Sequence, residues 1–103
     1  MTRTIPGATA LDDLRIAVLG LGISGRSALD TLKATTSAQL SAWDARGDAR
    51  ADYADLDGGA DTDPVVLIDD LLAWNPDVVV ISPAFPMVGV EWTMLREAGV
   101  SVW

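Results

Sequence analysis

Apolar and polar positions follow two periods along this chain. Ile16 to Leu19 is an unbroken apolar run, which predicts a strand over about Arg15 to Leu19. Ala28, Leu29 and Leu32 then share one helical face, with Arg26, Asp30 and Lys33 outside it, so a helix follows the glycines that end the strand. A polar Thr35-Thr36-Ser37 turn leads to a second strand over about Gln39 to Trp43. Val65 to Ile68 predicts a short third strand, and Asp69 to Trp74 a short helix with Asp69 near its start. Val78 to Ile81, all β-branched, has the composition of a central parallel strand covered on both faces. A helix over about Val90 to Ala98, a stop at Gly99 and a last strand from Val100 to Trp103 complete the pattern. The sum is an α/β fold in three layers, with a mainly parallel sheet of about five strands. Right-handed crossovers place the ends of strands one, two and four at one edge, where such sheets bind ligands.

Two segments stand apart. Residues 1–13 lack periodicity and contain Pro6 and Gly7, so they read as an arm leading into a domain over 14–103. Gly47 to Pro64 holds Asp48, Asp52, Asp55, Asp57, Asp61, Asp63 and a Gly58-Gly59 pair, and reads as a solvated connection with one short helix around Ala51 to Leu56. An EF-hand calcium loop counted from Asp55 would need glycine where Ala60 stands and glutamate where Val66 stands, so that motif fails.

The chemistry begins at the end of the first strand, where Val18 to Gly25 reads VLGLGISG. Gly20 can take the tight turn off the strand, Gly22 has no Cβ to keep a pyrophosphate from the backbone, and Gly25 lets the helix start pack against the strand. The first helical turn has N–H groups without intrahelical partners, which together with the helix dipole favour an anion by about 0.3 to 1 kcal/mol. Ser24 adds a hydroxyl. Asp44, 19 residues after Gly25, ends the second strand. An acid there can accept hydrogen bonds from ribose hydroxyls, as in NAD-binding folds, or from the N3–H of uracil, and position alone leaves both open. It would repel the 2′-phosphate of NADP even with Arg46 nearby. The bland alternative is an aspartate that merely caps or turns the chain.

Composition narrows the classes. A chain of 103 residues forms one domain that buries roughly 65% of its unfolded surface. It has 0 Cys and 0 His, so disulfides are excluded and ordinary zinc sites are not expected. The formal net charge of -8, with basic residues scattered, argues against nucleic acid as a partner. No stretch approaches the roughly 18 apolar residues of a membrane span, so a cytoplasmic protein without membrane insertion is expected. Trp43, Trp74, Trp92 and Trp103 read as core or domain-interface anchors, and Trp43 alone is next to the ligand edge.

Three motifs in order, Gly20-Leu21-Gly22-Ile23-Ser24-Gly25, Asp44-Ala45-Arg46 and Ser82-Pro83, resemble the N-terminal domain of the Mur ligase family, in its D-glutamate-adding branch. The resemblance spans nearly the whole chain and implies a Rossmann-like UDP-binding domain of a peptidoglycan-precursor ligase. It implies that Gly22, Ile23, Ser24 and Gly25 meet the diphosphate, that Asp44, Ala45 and Arg46 hold the uracil, and that Ser82, Pro83 and Ala84 approach the ribose and base. Ala84 stands where the family has glycine, and Ala45 where some members carry a hydroxyl residue. The family's ligand is UDP-N-acetylmuramoyl-L-alanine, and its reaction uses ATP and Mg2+ to form an acyl phosphate that D-glutamate attacks. That chemistry needs a GxxxxGK[ST] loop. The one lysine here, Lys33, lies in no such loop. The implied expectation is a docking domain without catalytic residues, inert apart from the family's central and C-terminal domains. An NAD-binding oxidoreductase domain and a stand-alone nucleotide-sensing module are the alternatives.

Overall fold

The computed structural model describes residues 13–83, 85 and 89–103; the expected arm, apart from Asp13, and the expected site residue Ala84 lie outside the described residues. The described elements are β1 (Arg15–Leu19), α1 (Ile23–Thr35), β2 (Gln39–Asp44), α2 (Gly47–Ala51), β3 (Asp57–Ala60), α3 (Pro64–Ala73), β4 (Val78–Ile81), α4 (Gly89–Glu97) and β5 (Ser101–Val102). The strands form one parallel sheet in the order β3-β2-β1-β4-β5, a Rossmann-like arrangement. Among the described residues, no helix is long and apolar enough to cross a membrane.

Strand residues divide by parity between two helical layers, because successive side chains leave a strand on opposite faces. Val18 and Ala42 pack with Leu21, Leu29, Ala49 and Tyr53, the layer of α1 and α2. Ala17, Leu19, Trp43 and Val79 pack with Leu67, Ile68, Leu71 and Leu95, the layer of α3 and α4. Trp43 is core, its indole N–H donating to the Ser41 hydroxyl at 2.7 Å, and Trp74 is half-buried against the same core. Trp92 and Trp103 remain exposed.

Two expectations between β2 and β4 are corrected. The third strand is Asp57–Ala60, not Val65 to Ile68, and the latter belongs to one helix with the segment from Asp69. Pro64 stands in its first turn and the Asp63 carboxylate accepts from the Val65 N–H at 3.0 Å, a start signal that outweighs the β-branched run. Leu67, Ile68 and Leu71 are its buried positions, at helical spacing, while Val65 and Val66 face out. The short helix after β2 begins earlier than expected, covering Gly47–Ala51, and turns occupy the residues up to β3.

The single tyrosine, Tyr53, reports on the layer of α1 and α2. Burial and a hydrogen bond from its hydroxyl to Asp30 Oδ1 at 3.1 Å raise its ionisation above the ordinary value, with Arg26 opposing. A raised folded value contributes stability that is present below the unfolded tyrosine's value of about 10 and is lost as pH rises through the folded one. Phenolate absorbance should therefore titrate above pH 10 in the native protein and return to about 10 in urea. A native midpoint at or below the urea value would contradict this packing.

Candidate functional site

Strand order reverses direction between β1 and β4, and at their C-terminal ends the connections diverge to opposite sides of the sheet. Such a switch point leaves a crevice. Gly20 and Gly22 after β1, Asp44, Ala45 and Arg46 after β2, and Ser82 and Phe85 after β4 line a cleft of about 260 Å³ there.

The glycine turn is held by its backbone. The Gly20 N–H donates to the Trp43 carbonyl at 2.7 Å, and Gly20 has φ +91°, so the chain leaves β1 through a conformation side chains rarely adopt. A Cβ on Gly25 would lie 1.8 Å from the Gly20 carbonyl oxygen, which is why the helix start can press against the strand end only without one. A Cβ on Gly22 would meet no protein atom within 4 Å. Gly22 is the N-cap of α1 and supplies no side-chain cap, leaving first-turn N–H groups for an outside acceptor.

Asp44 is buried, and its carboxylate serves both rims of the cleft. Oδ2 accepts from the Leu21 N–H at 2.5 Å, and Oδ1 accepts from the Arg46 N–H at 2.8 Å. Its charge is also 3.8 Å from Arg46 Nε, while the Arg46 side chain is 65% exposed and reaches out over the rim. Ser82 is 3% exposed, yet its hydroxyl makes no hydrogen bond to another described residue.

The structure thus gathers Gly22, Asp44, Ala45, Arg46 and Ser82 around one cleft. Gly25 is buried beneath it. Ile23 and Ser24 border a different groove, of about 610 Å³, with Ala28, Leu32 and Trp103, and are not among the residues that line the cleft. Pro83 borders a third groove with Trp92 and Trp103, shared at Ser82 and Phe85. Phe85 is the lining residue that motif reading misses. Its N–H donates to the Ser82 carbonyl at 3.0 Å, folding it back under Gly20 after the Ser-Pro turn.

Charge around the cleft is local. Lys33 pairs with Asp55 at 3.2 Å, away from the lining, and lowers the Asp55 carboxyl below its ordinary value. Arg26 donates to Asp52 at 2.6 Å, which raises its own ionisation. Among the described residues no group of three or more acidic, His or Cys side chains could hold a metal ion. The arrangement can bind and orient an anionic ligand with a polar ring. No family model matches the sequence, and no curated protein or solved structure matches it significantly.

Proposed function

We propose that the cleft takes the uridine diphosphate end of UDP-N-acetylmuramoyl-L-alanine, and that this domain is the substrate-docking part of an ATP-dependent ligase adding D-glutamate in peptidoglycan synthesis. The observation that carries the reading is the convergence of an open helix start, the Asp44-Ala45-Arg46 turn and Ser82 on one cleft. Their order in the chain is that of the three Mur-ligase-like motifs. The first-turn N–H groups of α1 suit the diphosphate. The Arg46 guanidinium and the Ala45 backbone suit the edge and carbonyls of the uracil, and the Ser82 hydroxyl the ribose. ATP and Mg2+ would act in other domains of the ligase. The contribution here is orientation, holding one end of a long substrate so that its distant carboxyl group meets the chemistry.

Arg46 and Ser82 beside the glycine turn favour this reading over NAD, while each Asp44 oxygen accepts one backbone N–H and keeps a lone pair for a donor on the ligand. The cleft of about 260 Å³ is smaller than the usual 300 to 1,000 Å³ of a site enclosing a whole ligand. A nucleoside end would be held and the remainder would extend beyond.

Calorimetry with UDP, UDP-N-acetylmuramoyl-L-alanine and NAD tests the proposal. Both uridine ligands should bind, weakly because part of the contact surface lies outside this domain, and NAD should not. Binding of NAD without binding of either uridine ligand would overturn it.

A further inference from the structure

We infer that Arg26 is a positioning residue that fixes the distance between the two rims of the cleft; this rests on the nucleotide reading of the cleft. Arg26 follows the glycine motif directly and does not line the cleft. Its Nε donates to the Leu21 carbonyl at 3.0 Å, and its Nη2 donates to Asp52 Oδ2 at 2.6 Å. The guanidinium lies over the Tyr53 ring, 5.6 Å from the centroid.

The two ends of this fork belong to different rims. Leu21 lies inside the glycine turn, and its N–H is already held by Asp44, so Asp44 and Arg26 hold its N–H and its carbonyl respectively. Asp52 and Tyr53 follow the end of α2, whose start is Arg46, the other rim. A rigid planar fork can make both bonds at once, and a lysine ammonium reaches either one but not both in that geometry. The pair is solvent-exposed, at 37% and 57%, so it adds little to stability. Its consequence is geometric. A ligand that touches both rims gains from their fixed spacing, because its second contact is made intramolecularly, while a ligand that touches one rim gains nothing.

The test compares the native domain with Arg26→Met, Arg26→Lys, Asp52→Asn and, as a control at a similar surface pair, Lys33→Met. In the free protein, Arg26→Met should speed amide exchange at Leu21 and at Tyr53 together by about tenfold, with Lys33→Met leaving Leu21 unchanged and the melting temperature falling by about 4 °C or less. UDP affinity should fall about tenfold in Arg26→Met and Arg26→Lys and less in Asp52→Asn, whereas uridine and inorganic pyrophosphate should each change less than about threefold. Unchanged Leu21 exchange, an equal loss for all three ligands, or full rescue by lysine would overturn the inference. If the native domain binds none of the three, the nucleotide reading fails, and the exchange arm alone still decides whether Arg26 holds the turn.

Discussion

Gly25→Ala should destabilise the domain by about 2 to 3 kcal/mol, although alanine is the better helix former. Gly25 lies in the first turn of α1, where the intrinsic gain from alanine is at most about 1 kcal/mol. Against it stands a Cβ placed 1.8 Å from the Gly20 carbonyl oxygen and 2.9 Å from its carbon. Both atoms are backbone, and Gly20 has no room to retreat. Its N–H is bonded to Trp43, and Ser82 and Phe85 crowd it so closely that a Cβ on Gly20 itself would meet them at 2.9 and 3.0 Å. Overpacking of this kind costs about 1 to 3 kcal/mol, occasionally more, so the clash wins. Gly22→Ala supplies the contrast. That residue has φ -75° and ψ -167°, which any residue adopts, and open space where the methyl would go. Its stability should change by less than about 0.5 kcal/mol, while UDP binding should weaken because the methyl occupies the approach of the diphosphate. Urea unfolding of both variants, with UDP titration of the second, checks the pair. Equal stability of Gly25→Ala and the native protein would show that α1 slides freely on the sheet and that the turn is not the rigid platform described above.

The parts of this molecule legible in the sequence are those whose signal is local. β1 and β4 show themselves as apolar runs because both faces of a central parallel strand are buried. The glycine turn shows itself because the backbone at Gly20 and Gly25 has no place for a side chain. β3 fails on the same logic: Asp57-Gly58-Gly59-Ala60 is an edge strand with no large apolar side chain to bury, and a glycine pair reads as a turn. Its glycine is nonetheless required by pairing, since a Cβ on Gly58 would lie 1.9 Å from the Ala42 carbonyl oxygen on β2. That requirement depends on a partner strand 16 positions earlier, as in Ala42 opposite Gly58, and no window of local sequence carries it. The site divides in the same way. Asp44, Arg46 and Ser82 follow strand ends and are found by motif, whereas Phe85 under Gly20 and Arg26 against Asp52 are produced by the packing of distant segments. Ile23 and Ser24 lie in the motif, but they border the neighbouring groove instead of the cleft, with Ile23 91% exposed.

Asp44→Ala should reduce both stability and nucleotide binding, and its separation from Arg46→Ala is what assigns the carboxylate its role. Truncation removes the acceptor for two N–H groups of unequal surroundings. Leu21 is fully buried, so its N–H would lose a bond to a charged acceptor with no water to replace it, at a cost of about 2 to 3 kcal/mol. Arg46 is exposed, and its N–H rehydrates at little cost. The net loss is therefore set by the glycine turn, and the turn, once released, no longer presents the start of α1 to a diphosphate. Asp44→Asn should fall between, because the amide oxygen can keep one of the two bonds while its NH2 faces the other donor. Arg46→Ala leaves both backbone bonds in place and removes only a side chain that is 65% exposed. Its unfolding midpoint should match the native one within about 0.5 kcal/mol, with uridine binding alone reduced. Urea unfolding and UDP titration on the three variants give a two-dimensional result. Asp44→Ala with native stability and lost binding would make the carboxylate a direct ligand contact and remove its structural role. Lost stability with binding intact in the folded fraction would place the base elsewhere on the domain.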